Sequence, residues 1–394
     1  AHSLNKKGGH FTFYEGPPSA NGMPGIHHVM ARAIKDSVCR YKTMQGLRVE
    51  RKAGWDTHGL PVELQVEKEL GLTKEDIGKT ISIEDYNAAC KQAVMRFTGE
   101  WQKLTDSMGY WVDMENPYVT YEPKYMESVW WILQQFYNKG LLYKGYTIQP
   151  YSPAAGTGLS SHELNQPGAY RNVKDTTIVA QFRLLPNQTI GGLQTQEADF
   201  GMAWTTTPWT LPSNTALAVG PNITYVLIET LNPYTKDSIR VWLAEDRIPA
   251  YFAPEMENQA PEPEQKKPGW KRIAQVLGKE LAGLKYEPLF QYATPSGGDA
   301  YRIITGDFVT TQDGTGMVHI APSFGSDDFK VAAQNGIGSL TLVDGQGRFL
   351  PEVTDFAGEF VKESYVSDAE KPQGYESVDV RIAVLLKQKN RAFK

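Results

Sequence analysis

The sequence predicts an α/β domain followed by a mainly β domain, and three observations support this expectation. A strand, a loop rich in glycine and proline, a helix and a second strand follow one another between residues 11 and 53. From Asp175 onward, β-branched and aromatic runs are broken by Gly, Pro and Asn, which is typical of strands and turns. With 394 residues, the chain is too long for one compact core, so two domains are expected.

The first of these patterns predicts one βαβ unit. Residues 11–13 form a short strand, which Pro17 and Pro18 end because proline cannot donate to a sheet ladder. The helix after the loop ends before Gly46 and has apolar residues at helical spacing. These residues are Met30, Ile34, Val38, Tyr41 and Met44. Residues 48–53 then form the second strand.

The loop between strand and helix leaves the carboxyl end of the strand and enters the amino end of the helix. Free backbone N–H groups and the helix dipole favour phosphate there, which predicts a nucleotide site. The loop matches neither the P-loop nor the dinucleotide glycine motif. It places His27 and His28 at the helix start, and Asp56 and His58 follow the second strand toward the same crevice. Without this context, two adjacent histidines in a loop would be solvated surface residues about as often as functional ones.

The remainder is divided between helices and strands. One long helix is predicted over residues 83–108 and another over 123–139, whose aromatic stripe is interpreted as core rather than as a binding platform. Strands are predicted at 176–184, 225–230, 239–244 and 301–305, with a helix at 380–386 and an exposed loop at 254–268.

Composition and charge exclude several classes of protein. The net charge is −5, so any nucleic-acid contact must be a local patch rather than a general polycation. No apolar run approaches the roughly 18 residues that span a membrane, so no membrane association is expected. Cys39 and Cys90 have no metal-like spacing and are expected to be idle thiols, which fits a reducing cytoplasm.

A second group of polar residues lies in the β-rich part. The group consists of Thr205, Thr206, Thr207, Thr210, Asn214, His319 and Asp328. A triple threonine on its own is more often an edge strand with high β propensity. Paired acids such as Asp327 and Asp328 are often a helix cap. Each half of the group therefore has an ordinary structural explanation when it is taken alone.

Both groups resemble class I aminoacyl-tRNA synthetases, and within them the isoleucyl type. The first resemblance rests on Glu15-Gly16-Pro17-Pro18, on Ala20-Asn21-Gly22, on the histidines at the helix start, and on Gly-Trp-Asp-Thr-His-Gly-Leu-Pro-Val-Glu at 54–63. Leucyl members have an aromatic residue at the position of His58, and valyl members read Gly-Thr-Asp-His-Ala-Gly there. Both have Thr-Thr-Arg-Pro where residues 205–208 are Thr-Thr-Thr-Pro.

The resemblance implies the first half of a Rossmann-like catalytic domain at 1–150, a connecting segment at 151–174, and an inserted, mainly β, barrel-like α+β editing domain at 175–394. The implied activity is that of an isoleucine–tRNA ligase. It would use ATP with Mg²⁺ to activate isoleucine and would then charge tRNA(Ile). Its editing domain would hydrolyse Val-tRNA(Ile), which contains the wrong amino acid, valine. The connecting segment has Ser152 and Ala155 where related zinc ribbons have cysteines, so no zinc is expected.

Site residues follow from the resemblance, position by position. ATP contacts are implied for Asn21, Gly25, His27 and His28, of which the last three are also assigned to catalysis. Amino-acid contacts are implied for Glu15, Gly16, Pro17, Asp56 and His58, with Asp56 taking the ammonium group. In the editing domain, Asp328 anchors the ammonium group, His319 bounds the side-chain slot, and Asn214 supports the loop. The threonines that bind the substrate or its water are Thr205, Thr206, Thr207 and Thr210.

Two departures from the family pattern affect these expectations. The signature His-x-Gly-His is replaced by Gly25-Ile26-His27-His28, so an imidazole stands where adenine needs room. Either His27 turns away and contacts phosphate, which is the favoured expectation, or ATP binding is weakened. The Lys-Met-Ser-Lys-Ser loop and the second half-domain are absent, so a fragment of a longer enzyme is expected. A monomer is also expected. The alternatives are a valyl- or leucyl-type editing synthetase and a tRNA-binding module without catalysis.

Overall fold

The computed structural model describes residues 2–14, 16–265 and 267–394, which form two compact units, 1–145 and 146–394. The α/β class predicted for the chain is confirmed, with helices prominent in the first unit and strands in the second. The predicted connecting segment, 151–174, lies within the second unit, where it contains a short hairpin and one helical turn.

The first unit combines a two-stranded parallel sheet with helices. In chain order its elements are α1 (Ile26–Met44), β1 (Lys52–Trp55), α2 (Leu60–Leu70), α3 (Ile83–Val94), α4 (Thr98–Met108), β2 (Asp113–Val119) and α5 (Pro123–Asn138), with 3-10 turns at His2–Asn5 and Lys74–Asp76. The parallel pairing places Trp55 opposite Val119. Both side chains pack with Trp101 and Ala20 in a buried cluster, so the loop before α1 is held against the sheet.

The helix predicted after the loop is found as α1, but the strand predicted at 11–13 is wrong. One parallel bridge joins His10 to Arg48. The described residues between His10 and Ile26 form no helix and no strand. No ladder can continue through the Pro17-Pro18 pair, which has no N–H to donate. The second predicted strand is shifted along the chain, because β1 begins only at Lys52.

The apolar stripe that identifies α1 does not face the core. Asp36 is buried on the opposite face, where its carboxylate accepts from Arg40 Nε at 2.6 Å and from Arg51 Nη1 at 3.0 Å. A buried carboxylate needs such partners, and the pair with Arg51 links the helix to the segment before β1. The exposed apolar residues of α1 include Met30, Ile34, Tyr41 and Met44.

Two further predictions for the first unit are wrong. The single helix predicted at 83–108 is two helices, because the chain turns at Phe97, whose N–H donates to the Ala20 carbonyl at 3.0 Å. The aromatic stripe of α5 is exposed rather than core, with Trp130 and Trp131 exposed by 63% and 62%. An apolar stripe is buried only where another element packs on it, and that depends on the tertiary structure.

The second unit is built on two larger mixed sheets. Its elements are β3 (Tyr151–Ser152), β4 (Thr157–Gly158), α6 (Ser161–Leu164), β5 (Ile178–Arg183), β6 (Thr189–Ile190), β7 (Leu193–Gln194), β8 (Asp199–Thr205), β9 (Ala216–Val219), β10 (Thr224–Leu231), β11 (Ser238–Ala244), α7 (Ile248–Tyr251), β12 (Lys271–Leu277), α8 (Gly278–Leu281), β13 (Arg302–Thr305), β14 (Met317–Ile320), α9 (Ser326–Gln334) and α10 (Val378–Gln388). The five-stranded sheet has the order β12-β10-β11-β8-β5, and the three-stranded sheet has the order β13-β9-β14. Phe182, Leu217 and Trp242 are buried in the core that both sheets share.

Four strands of this unit follow from the sequence, but others do not. The strands predicted at 176–184, 225–230, 239–244 and 301–305 are confirmed as β5, β10, β11 and β13, and the helix at 380–386 is confirmed as α10. The predicted strands did not include β8, β9 and β12. Each of β8 and β9 has only one β-branched residue, so neither shows the β-branched run that identifies a strand such as β13.

Gly316 and Gly374 form a matched pair for testing how closely the strands of the second unit pack. Both have a φ of 78°, but a Cβ on Gly316 would lie 2.3 Å from Ala244 Cβ, and nothing lies within 4 Å of a Cβ on Gly374. We expect Gly374→Ala to cost about 1–2 kcal/mol of unfolding free energy through backbone strain. Gly316→Ala should cost about 1–3 kcal/mol more through overpacking. Denaturant unfolding measures both losses, and equal values would contradict the close packing.

Candidate functional site

A cavity of about 360 Å³ lies in the second unit beside β8 and β14. The segment that follows β8 forms one wall, and the segment between Asp313 and Asp328 forms the other. The predicted site residues that line it together are Thr205, Thr206, Thr207, Thr210, His319 and Asp328. Asn214 is buried behind His319. Two stretches that are far apart in the sequence therefore meet in one place.

The threonine hydroxyls shape the loop that follows β8. The Thr207 N–H donates to Thr205 Oγ1 at 3.1 Å, and the Thr210 hydroxyl donates to the Thr207 carbonyl at 2.8 Å. The loop continues into the 3-10 helix Pro208–Ser213. Hydroxyl groups that bond to nearby backbone favour turns over regular strands. An edge strand with high β propensity therefore does not explain these threonines.

His319 lies in β14 and is hydrogen-bonded through both ring nitrogens. Nε2 lies 2.9 Å from Thr210 Oγ1, and Nδ1 lies 3.3 Å from Asn214 Nδ2. Asn214 also donates to the Ala216 carbonyl at 2.9 Å and accepts from the Tyr286 hydroxyl at 2.7 Å. Burial lowers the pKa of the imidazole to about 4, so the ring is neutral at physiological pH.

Asp328 stands in the first turn of α9 and lines the cavity. Its Oδ2 accepts from the Ala321 N–H at 2.9 Å, which ties the loop after β14 to the start of the helix. Burial raises the pKa of the Asp328 carboxyl, the bond from Ala321 opposes that rise, and the neighbouring Asp327 adds to it. The Asp327 side chain is 69% exposed, so of this pair only Asp328 faces the cavity.

Two residues that support the cavity from behind, Asp379 and Tyr286, were not predicted from the sequence. Asp379 in α10 is 3% exposed and accepts from the Trp209 N–H at 2.8 Å and from Lys362 Nζ at 2.8 Å. Tyr286, which donates to Asn214, is equally buried. No local pattern could identify these residues, because their partners lie 170 and 72 positions away in the chain.

The residues predicted to bind the amino acid are spread over part of the first unit. Gly16 and Pro17 line a cavity of about 290 Å³, whereas Asp56 and His58 do not line it. The Asp56 N–H donates to the Pro18 carbonyl at 2.9 Å. The structure therefore joins the loop to the end of β1 without gathering these four residues into one pocket.

The predicted ATP-binding residues Gly25, His27 and His28 lie together at the start of α1. The Gly25 N–H donates to His28 Nδ1 at 2.9 Å, so the His28 side chain caps the helix. The two imidazole centroids are 3.8 Å apart, and His28 meets the Trp101 ring edge-on at 4.7 Å. Burial, followed by the charges of His27 and Arg32, lowers the pKa of His28.

The other predicted positions of the first unit make separate contacts. Asn21 Nδ2 donates to Gln65 Oε1 at 3.2 Å, which links the loop to α2. His58 Nδ1 lies 3.1 Å from Thr120 Oγ1, just beyond β2. Glu15 lies outside the described residues.

The described parts of the chain contain no cluster of metal-binding side chains and no membrane-spanning helix. Within residues 2–14, 16–265 and 267–394, no three His, Cys, Asp or Glu side chains gather into a possible metal site. The Ala155 N–H donates to Ser152 Oγ at 3.2 Å in the short hairpin of β3 and β4, where the sequence suggested a zinc ribbon without its cysteines. In the same ranges, no helix is both long enough and apolar enough to cross a membrane.

Comparison with known proteins decides the family. Residues 1–355 match the family model of the tRNA synthetases class I (I, L, M and V). The chain belongs to the class I tRNA synthetases. This synthetase chain is 56% identical to the isoleucine–tRNA ligase of Porphyromonas gingivalis and 57% identical to that of Cytophaga hutchinsonii. Both alignments cover 98% of the synthetase chain. These relatives confirm the resemblance to the isoleucyl type, and the synthetase chain spans 36% of the length of each.

Similarity to a solved structure is much weaker. The crystal structure of the P. knowlesi cytosolic leucyl-tRNA synthetase editing domain is 12% identical, with a TM-score of 0.32, over 55% of this synthetase chain and 95% of that one. A likeness at this level supports no conclusion about the fold.

The burial of His319 makes the stability of this synthetase chain depend on pH. The ordinary pKa of histidine is 6.5 and that of His319 is about 4, so the unfolded chain binds this proton first as the pH falls. The contribution of His319 to the unfolding free energy is on the order of 3 kcal/mol. It is fully present above pH 6.5 and is lost as the pH falls through about 4. We expect His319→Gln, which does not titrate, to lose less stability over this range than wild type. Denaturant unfolding between these pH values tests this, and parallel curves would contradict it.

Proposed function

We propose that this chain is the part of an isoleucine–tRNA ligase that edits the product and carries one half of the synthetic site. The observation that supports editing most directly is the cavity of the second unit, where hydroxyls, a neutral imidazole and a carboxyl line one space. The similarity to two isoleucine–tRNA ligases supports isoleucine as the amino acid. For the whole protein we propose ATP with Mg²⁺, isoleucine and tRNA(Ile) as substrates, and a monomer in the cytoplasm.

An editing site is needed because a pocket for isoleucine cannot exclude valine well. The missing methylene is worth only about 1–3 kcal/mol, a limit already known from this synthetase family. A second site must therefore hydrolyse Val-tRNA(Ile) and must exclude the larger isoleucine by size. We assign that role to the cavity of the second unit.

The chemistry of the cavity walls suits this substrate. Asp328 offers a negative charge to the α-ammonium group, and its partial burial strengthens that attraction because the surrounding dielectric is low. His319 occupies the space that the extra methylene of isoleucine would need. The hydroxyls of Thr205, Thr206 and Thr207 are placed to hold the ester or its water. Hydrolysis then depends on a positioned water, assisted by the hydroxyls of the terminal adenosine.

The synthetic half-site is proposed to lie at the loop before α1 and at the end of β1. The amino end of α1 offers free N–H groups and the positive end of the helix dipole to phosphate. The proposed ATP contacts are Asn21, Gly25, His27 and His28, and the proposed isoleucine contacts are Glu15, Gly16, Pro17, Asp56 and His58. His27 is exposed beside His28, which supports a phosphate contact by His27 in place of the first histidine of the family signature.

Hydrolysis of Val-tRNA(Ile) by this chain tests the editing function, and Asp328 offers the sharpest variant. A hydrogen bond to a charged group is worth roughly 1.5–3 kcal/mol, so Asp328→Ala should slow hydrolysis about ten- to a hundredfold. The matched control is Asp327→Ala, which removes the exposed carboxylate next to it and should leave the rate nearly unchanged. Equal rates for the two variants would contradict the ammonium anchor. No hydrolysis by the wild-type chain would contradict the editing function itself.

His319→Ala tests the size limit separately from the ammonium anchor. Removing the ring enlarges the slot, so we expect the variant to hydrolyse Ile-tRNA(Ile), which the wild-type chain spares. Val-tRNA(Ile) hydrolysis should continue at a reduced rate, because Thr210 and Asn214 lose their shared partner. Deacylation of both tRNAs measures this, and circular dichroism shows whether the variant is folded. A folded His319→Ala chain that still spares Ile-tRNA(Ile) would show that the ring does not set the size limit.

A further inference from the structure

A series of buried hydrogen bonds runs behind the cavity from Tyr286 to the Thr207 carbonyl. The Tyr286 hydroxyl donates to Asn214 Oδ1 at 2.7 Å, Asn214 Nδ2 lies 3.3 Å from His319 Nδ1, and His319 Nε2 lies 2.9 Å from Thr210 Oγ1. Tyr286, Asn214 and Thr210 are 2%, 4% and 5% exposed. Bulk water therefore has little access to these groups, and their mutual geometry decides where each proton lies.

The Ala216 carbonyl fixes the direction of the series at Asn214. A carbonyl only accepts, so the part of the side-chain amide that lies 2.9 Å from it must be the NH₂ group. The same NH₂ group lies 3.3 Å from His319 Nδ1 and 3.5 Å from the Ile320 carbonyl. An N–H on Nδ1 would face this donor without an acceptor, so we assign Nδ1 as the unprotonated ring nitrogen. The amide oxygen is left facing Tyr286, whose hydroxyl donates to it. Tyr286 and Ala216 therefore hold the amide in the same orientation.

The Thr207 carbonyl is the acceptor at the other end. The Thr210 hydroxyl has a single proton and lies 2.8 Å from this carbonyl, 2.9 Å from His319 Nε2 and 3.4 Å from Thr207 Oγ1. Because a neutral ring with an unprotonated Nδ1 carries its proton on Nε2, Thr210 Oγ1 accepts from His319 and donates to the Thr207 carbonyl. The contacts at both ends of the series are thus consistent with the same neutral tautomer of His319.

We propose that Tyr286 is a positioning residue of the editing site, which acts through Asn214 to hold His319 as its Nε2–H tautomer and Thr210 as a hydrogen-bond acceptor toward the cavity. The consequence for editing rests on the proposed function. Neither nitrogen of His319 can take a proton from water, since Nδ1 already accepts from Asn214 and Nε2 is protonated, so His319 is not the general base. Thr210 has committed its proton to Thr207, and its remaining lone pair accepts a hydrogen of the attacking water.

The tautomer can be read directly from the ¹⁵N chemical shifts of the His319 ring. Two-bond ¹H–¹⁵N spectra of the whole chain at neutral pH, assigned by comparison with His319→Gln, should show a protonated Nε2 and an unprotonated Nδ1. A proton on Nδ1, or on both nitrogens, would overturn the proposal whether or not the chain hydrolyses Val-tRNA(Ile). The expected tautomer in a chain without hydrolysis would support the hydrogen-bond series and count against the editing function alone.

Tyr286→Phe tests the outer end of the series. It removes one hydroxyl and leaves Asn214 Oδ1 without its donor, so we expect Val-tRNA(Ile) hydrolysis to fall about two- to tenfold, the range for one lost neutral hydrogen bond. The His319 signals should shift toward a mixture of tautomers. Tyr292→Phe is the matched control, because it removes a hydroxyl that bonds to Asp355, and it should change neither readout. A folded Tyr286→Phe chain with unchanged rate and spectrum would overturn the role of Tyr286.

Asn214→Asp tests the inner end by replacing the donor that faces His319 with an acceptor of nearly the same shape. We expect His319 Nδ1 to become protonated and the hydrolysis rate to fall by about tenfold or more, since the direction of the whole series is then broken. A wild-type His319 spectrum in this variant would overturn the part of the proposal that concerns Asn214.

Discussion

A polar side chain inside a protein needs a partner for each of its donors and acceptors, because an unmatched one costs about 1–3 kcal/mol. His319 meets this requirement through Thr210 on one side of its ring and Asn214 on the other. These two bonds connect β14 to the loop that follows β8, and the cavity lies where the two segments meet. The distance between the cavity walls therefore depends in large part on one buried, uncharged imidazole.

The same loop is held a second time, from α10. The Asp379 carboxylate accepts from the Trp209 N–H and from Lys362, and Lys362 also pairs with Asp175 at 2.6 Å. A buried carboxylate without its cation would be strongly unfavourable, so this group stabilises the loop only as a complete set. With His319 at the cavity wall and Asp379 behind it, a short 3-10 helix is constrained from two sides. This explains how a proline-containing turn can present several hydroxyls in one fixed arrangement.

The parts of the site that could be predicted are those whose residues are informative within a short stretch of sequence. The threonine run, His319 and Asp328 each stand in such a stretch, and the structure brings them into one cavity. Tyr286 and Asp379 could not be found this way, because their roles depend on partners far along the chain. The fold shows the same limit. The helix α1 was recognisable from its apolar spacing, but which face it buries is decided by the ion pairs of Asp36. The strand β9 has only one β-branched residue, so its sequence lacks the usual signal of a strand.

The contact between Asp379 and Trp209 closes across 170 residues of chain. It depends on the positions of two groups in space and not on the amount of sequence between them. The described residues of the loop at 254–268, which lies in that interval, are largely exposed, and surface loops accept changes in length at small entropic cost. Evolution can therefore lengthen or shorten the middle of this unit without moving either partner. The cavity of this unit can therefore stay the same while the length of this surface loop changes.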